Sequence, residues 1–526
     1  MLHEALALHQ QNRLDEAEGL YRQLLVAQPG NSEAWYRLAF LYYQQQRGSD
    51  ALAAVDKALE IDPAMADAHM LKGVLLQAAA RREEARNAFE TAASSSPAEP
   101  QSWYNLGLIC RDLGDFPAAI TAFDRALALN PSMVEAWNGR GAAQQRLRRF
   151  ADSLESYDRA LALKPDSALA WSNRAGALWG LKRLADALAA YDKALELQPG
   201  HAQAWIFRAG VLDAMQRQKE ALDSLDRALA LAPENQAALY ARATILCESG
   251  RIAEGFALYL EIAGRVWGAK DFSAPTDPPH KQRHDREQRD YLAGQGVVSA
   301  QYHLAQGSRA AGRAVNPSPG AEEQWRQSNP KLVVIDDFLT SEALGQLQRY
   351  CWGSTVWQEV HAEGYLGATP DHGFCSPLLA QIAEELQQRF PKIFAGHGLR
   401  RIWAFKYDSS LGGINIHADQ AAVNVNFWIT PDDANLDPAH GGMEIWDAAA
   451  PLDWDVRQYN GDEAAARRFL ADAQAKSQIV PYRANRVVIF DSDLFHKTDV
   501  IAFRPGYRNR RINITLLFGR RIADGS

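Results

Sequence analysis

Residues 130–165 read NPSMVEAWNGRGAAQQRLRRFADSLESYDRALALKP, and the prolines at 131 and 165 belong to a longer series. Pro29, Pro63, Pro97, Pro131, Pro165, Pro199 and Pro233 each stand 34 residues from the last. Large apolar residues recur early in the blocks, at Trp35, Trp103, Trp137, Trp171 and Trp205, and four residues on comes a small one, Ala39, Gly107, Gly141, Ala175 or Ala209. Further along, Ala51, Ala85, Ala119, Ala187 and Ala221 precede Val55, Phe89, Phe123, Tyr191 and Leu225. Apolar residues at three- and four-residue intervals give a helix one buried stripe. The small residues mark a close helix crossing, and proline ends the second helix because its ring cannot continue it. A single helical hairpin cannot bury both faces, so the units must stack.

This pattern resembles the tetratricopeptide repeat (TPR) over residues 1–266, about seven to eight units. The first unit lacks its early Trp, and the last, around Leu239 to Ile262, lacks the closing proline. The resemblance implies an all-α superhelix whose groove holds a protein or peptide. Tyr36, Tyr104, Asn138, Ser172 and Ile206, just after the large residue, are expected either to line that groove or to be ordinary solvent-facing or inter-repeat residues.

Outside the repeats the whole-chain figures set bounds. The 526 residues carry 56 Lys+Arg against 64 Asp+Glu, a net charge of −8. The length suggests two to four domains, and the absence of a basic surplus argues against nucleic acid as a partner. Cys110, Cys247, Cys351 and Cys375 are scattered without a CxxC pair, which suits free thiols in a reducing compartment. With no leader-like start and no long apolar run, the expectation is a soluble cytoplasmic protein with no membrane span.

Residues 267–330 lose the period and read as a linker rich in Pro, Gly, Ser, Gln and Arg, with one charged, exposed helix at HKQRHDREQRDYLAG. His280 and His284 stand four apart on it, a spacing that suits a metal, but no third ligand is near.

From KLVVIDDFL the apolar period changes from 3.6 to 2. Strands are expected at RIWAFKYD, GINIHAD, AVNVNFWIT, GMEIWD, RVVIFD and RINITLLF. Helices are expected at SEALGQLQRYC, at SPLLAQIAEELQQRF, and in an insertion between Asp447 and Pro481. Many short antiparallel strands with marginal helices point to a double-stranded β-helix, or jelly roll, over residues 331–526. Val423, Val425 and Phe427 alternate with Asn424, Asn426 and Trp428; Ile512, Ile514 and Leu516 alternate with Arg511, Asn513 and Thr515. Apolar faces packed on helices would turn the polar faces inward, where they need something to bind.

The sharpest constellation is His417-Ala-Asp419 with His496: two imidazoles and a carboxylate suit the facial triad of non-haem Fe(II) enzymes. His361-Ala-Glu363 has the same form but no distal His and Arg strand in register behind it. VVIDDFL, FKYDSSLGGINIHAD, PYRANRVVIFDSDLFHKT and RRINITLLFG together resemble the 2-oxoglutarate- and Fe(II)-dependent dioxygenases of the prolyl-hydroxylase-like branch. The resemblance implies that His417, Asp419 and His496 ligate Fe(II). It further implies that Arg511, with Thr515 and Tyr407, binds 2-oxoglutarate. Strand parity favours Arg511 over Arg510, with Arg508 as a competitor and Arg504 also near. Asn424, Asn426, Trp428, Met443 and Trp446 are expected on the substrate side or in packing. The implied reaction is hydroxylation of a C–H bond with O₂, on a protein or peptide recruited by the repeats. Alternatives are a small-molecule substrate, with the repeats serving oligomerisation or partner binding, and a non-catalytic scaffold or sensor.

Overall fold

The computed structural model describes residues 1–268, 270–271, 273–297, 301–305, 307–408 and 413–521. Its contacts divide the chain into two compact units, Met1–Arg217 and Gln218–Ser526.

The first unit is a run of paired helices from α1 (Leu2–Gln10) to α13 (Ala202–Ala214). The two strongest sequence markers turn out to be bonded to each other. Trp137 Nε1 donates to the Pro131 carbonyl at 2.9 Å, and Trp35, Trp103, Trp171 and Trp205 do the same to Pro29, Pro97, Pro165 and Pro199. Each proline stands in the turn just past a helix end, where its carbonyl is outside the helical ladder, and the Trp supplies that carbonyl with a donor. Small residues sit where rings pass: a Cβ at Gly107 would lie 2.7 Å from the Phe123 ring, and one at Gly141 2.7 Å from Tyr157. A second 34-residue period shows only in the backbone. Asn12, Gln46, Ala80, Arg148, Lys182 and Gln216 hold φ near +60°, with Gly114 at +82° in the same series. Of the expected groove residues, Ser172 and Ile206 are buried and so do not line a groove. Asn138 bonds back to Val134 O at 3.2 Å, and Tyr104 packs on Phe123.

The second unit begins with α14 (Gln218–Leu231), α15 (Gln236–Glu248) and α16 (Ile252–Trp267). Cys247, Phe256 and Ile262 from these helices enter the same apolar core as α19 (Ser341–Gly353) and α20 (Pro377–Arg389). The sequence places a boundary at residue 266, where the period ends; the contacts divide at 217 instead. A terminal repeat has one face that no further repeat covers, and here the following domain covers it. Glu248, 4% exposed at its side chain, binds Arg400 at 3.0 Å and Arg520 at 2.9 Å, fastening α15 to the sheet.

The helix expected to be charged and exposed, α17 (Pro279–Gly294), is present but buries Lys281, His284, Asp285, Gln288 and Leu292. Its buried charges neutralise each other, Lys281 pairing with Asp285, and the buried amide of Gln288 donates to Ser354 O at 2.8 Å. His284 therefore bonds Asp285 at 2.9 Å rather than forming a metal pair with His280. A short α18 (Ala321–Gln327) leads into the sheets.

The larger sheet is antiparallel, in the order β1 (Leu332–Ile335), β8 (Val487–Asp491), β5 (Val423–Trp428), β10 (Arg511–Phe518), β4 (Leu399–Tyr407), β3 (Tyr365–Ala368), β2 (Glu359–Val360). The smaller one orders β7 (Ser477–Val480), β6 (Met443–Ala449), β9 (Leu494–Thr498). Val423, Val425, Phe427, Ile512, Ile514 and Leu516 pack on the helical core, as their alternation requires. Trp428, Met443, Ile445, Val488 and Leu494, from both sheets, form a separate cluster. After α21 (Pro391–Phe394), the remaining helices α22 (Val456–Asn460) and α23 (Glu463–Asp472) lie within the Asp447–Pro481 insertion. Residues 409–412 of the FKYDSSLGGINIHAD motif lie outside the described residues. Among the described residues no helix is long and apolar enough to cross a membrane.

Candidate metal centre

GINIHAD does not form a strand along its length. It makes one antiparallel bridge, His417 to His496, closed by His417 N–H to His496 O at 3.0 Å and the reverse at 2.8 Å. His496 stands on β9, a strand of its own beyond RVVIFD. The bridge puts the two imidazoles on one side with centroids 4.3 Å apart. Ile416 turns the opposite way into an apolar cluster with Tyr459 and Phe495, while Ile414 lines the metal side despite its parity.

Ligand atoms of His417, Asp419 and His496 all lie within 4.8 Å of one another. His496 Nε2 is 3.5 Å from Asp419 Oδ2, and His417 Nε2 is 4.0 Å from Oδ1. Ligands about 2.1 Å from one ion and at right angles sit about 3 Å apart, so a small closure would complete the shell. The tautomers suit it. His417 Nδ1 lies 2.8 Å from Asn415 O, and His496 Nδ1 3.0 Å from Leu494 O. A carbonyl only accepts, so each Nδ1 carries the proton and each Nε2 lone pair is left for an ion. Burial, then the neighbouring His496, pulls the His417 pKa to about 4, which keeps the ring neutral as a ligand must be. The Asp419 carboxyl lies below its usual value: burial pushes it up, and the imidazoles of His496 and His417 beside it more than offset this. Asn424 Nδ2 donates to Asp419 Oδ2 at 2.7 Å.

Beside the triad, Arg511 is 2% exposed and has no carboxylate in hydrogen-bonding contact among the described residues. Its Nε and Nη2 donate to the carbonyls of Gly441 (2.6 Å) and Gly442 (3.0 Å), and Nη1 to Asn513 Oδ1 at 3.3 Å. Tyr407 opposes it across the β10–β4 register, with the guanidinium 4.9 Å from the ring. Thr515 faces Asn426, whose Nδ2 donates to it at 3.0 Å, while Asn426 Oδ1 is buried without a partner. A buried cation with no counter-ion is costly, and an anionic ligand would relieve it. The other arginines lie elsewhere: Arg510 binds Glu287 at 3.0 Å, Arg508 covers Trp352, and Arg504 is exposed.

The residues expected on the substrate side divide. Asn424 supports Asp419; Trp428 is fully buried between Arg511 and Tyr482; Trp446 packs with Ile416 and Phe495. Asn426 and Met443 line a chamber of about 30 Å³ with the triad, Arg511, Asn513 and Thr515. That chamber shares Trp403, Phe405, Ile414, His417 and Asp419 with a cleft of about 1180 Å³. The cleft's other walls are α15, α16 and the β2–β3 hairpin, including His361 and Glu363. Trp403 and Phe405 stand two apart in RIWAFKYD, so the same strand parity identifies this wall.

Residues 8–75, 70–134, 111–144, 138–202 and 209–270 match the Tetratricopeptide repeat family, and the first half of the chain carries such repeats. No curated protein matches the chain. Among solved structures it is similar to YrrB, a TPR protein with an unusual peptide-binding site: 24% identity, 35% of this chain and 95% of that one, TM-score 0.34. It is also similar to the C-terminal part of a TPR repeat-containing protein from Cytophaga hutchinsonii: 18% identity, 46% and 99% coverage, TM-score 0.39. PilF of Pseudomonas aeruginosa matches at 20% identity, 39% and 94% coverage, TM-score 0.35.

Proposed function

We propose that the second unit is a jelly-roll oxygenase dependent on Fe(II) and 2-oxoglutarate, which hydroxylates a C–H bond of a protein or peptide. The observation that carries this reading is the triad with both Nε2 atoms freed by carbonyl-bound Nδ1 atoms, next to a buried guanidinium with no carboxylate in hydrogen-bonding contact among the described residues. The repeats supply the reason to favour a polypeptide substrate.

In this reading His417, Asp419 and His496 hold the ion, and Asn424 keeps Asp419 aimed at it. Arg511 would take the distal carboxylate of 2-oxoglutarate, with Thr515 and Tyr407 at hand, in place of its present bonds to Gly441 and Gly442. The bound ion and cosubstrate supply O₂ activation coupled to decarboxylation. The chain's own part is to bind, to orient and, through Trp403, Phe405 and Ile414, to narrow access to the ion.

Anaerobic addition of Fe(II) and 2-oxoglutarate should give a weak visible charge-transfer band that His417→Ala abolishes. A folded protein showing no band refutes the reading.

A further inference from the structure

The wall of the cleft nearest the triad is aromatic. His361 stacks on Tyr365 at 4.3 Å and 13°, and Phe405 meets both edge-on at 5.6 and 5.2 Å. Trp403 follows 6.3 Å from Phe405, and these last two rings also border the triad chamber. Ring faces in a partly dry cleft attract cations.

Carboxylates stand beside the rings. Glu359 lies 4.0 Å from His361 Nε2 and is 46% exposed, and Glu363 is on the same lining; among the described residues neither is bonded to a lysine or arginine. The cleft's other glutamates are already neutralised, Glu248 by Arg400 and Arg520, and Glu463 by Arg467. Asp371 adds a further acid, against which Arg401 is the one lining cation not bonded to a carboxylate among the described residues. His361 does not supply the missing charge, because burial holds its pKa below the usual value and its Nε2 has no hydrogen-bond partner. Rings leading to the metal centre with unpaired acids beside them complement a long side chain that is apolar along its stem and positive at its tip.

We propose, resting on the oxygenase reading above, that the side chain presented to the triad is a lysine or arginine of an extended peptide. Its stem runs along the wall of Tyr365, Phe405 and Trp403, and its head group is held by Glu359 and Glu363. The reaction replaces a stem C–H by C–OH. One atom of O₂ goes to that hydroxyl and the other to succinate, as 2-oxoglutarate loses CO₂.

The test uses the full chain with Fe(II), 2-oxoglutarate and O₂, and three peptides that differ only in a central Lys, Pro or Glu. Succinate release and the gain of one oxygen by the peptide are followed, with the anaerobic band recorded on the same protein. The Lys peptide should be turned over best, with its KM rising at higher salt. Glu359→Gln/Glu363→Gln, at exposed positions, should raise that KM about five- to tenfold with kcat little changed. Preference for the Pro or Glu peptide, or a double variant equal to the parent, overturns the cationic substrate while the band stands. Absence of the band overturns the oxygenase reading and this inference with it.

Discussion

Asn424→Ala tests whether the candidate metal centre proposed above is held as its geometry indicates. Asn424 is fully buried, and its Nδ2 lies 2.7 Å from Asp419 Oδ2. A hydrogen bond to a charged group contributes about 1.5–3 kcal/mol. Loss of an outer partner of a metal ligand weakens metal binding by about 10- to 100-fold, which is about 1.4–2.8 kcal/mol. The two estimates agree because they describe one contact: without the amide, Asp419 must be held in place by the ion alone. Titration with Co(II), read by its visible absorption, should therefore show the dissociation constant rising 10- to 100-fold, with circular dichroism unchanged. Asn426→Ala is the control. Asn426 bonds Thr515 at 3.0 Å and touches no ligand, so metal affinity should persist while 2-oxoglutarate binding weakens. A folded Asn424→Ala within twofold of the parent, or equal metal loss in both variants, refutes the assignment.

Arg511→Lys keeps the charge but loses the planar fork, and 2-oxoglutarate affinity by calorimetry should fall at least about tenfold; an unchanged value would move the carboxylate site elsewhere. Glu248→Ala leaves Arg400 and Arg520 without their shared carboxylate. Since both keep some solvent access, the loss in chemical denaturation should be about 2 kcal/mol, carried by the transition of the second unit. Gly107→Ala drives a methyl into Phe123, and the first unit should lose about 1–3 kcal/mol in thermal unfolding, partly restored by Phe123→Leu.

Some of this was open to reading because it is local. The prolines at 34-residue intervals, the Trp that bonds each proline's carbonyl and the small residues opposite rings all act within one repeat, so their spacing survives in the linear chain. Strand parity put Arg511 and Thr515 on one face and left Arg510 on the other, because successive strand residues point to opposite sides of a sheet. Parity failed at 413–419, where one bridge replaces a ladder and Ile414 turns with His417.

The remainder depended on which elements meet. Nothing local distinguishes an exposed helix from α17, whose Lys281 and Asp285 neutralise each other inside the unit. Nor does periodicity reveal that α15 and α16 share a core with the sheets rather than only with other repeats. The sequence by itself determined the repeat architecture and the strand alternation that puts Arg511, Asn513 and Thr515 on one face. Only the tertiary structure decided that Asn424 bonds Asp419, that Arg511 has no carboxylate in hydrogen-bonding contact among the described residues, and that the last repeat walls the cleft, because each depends on how the chain folds back on itself.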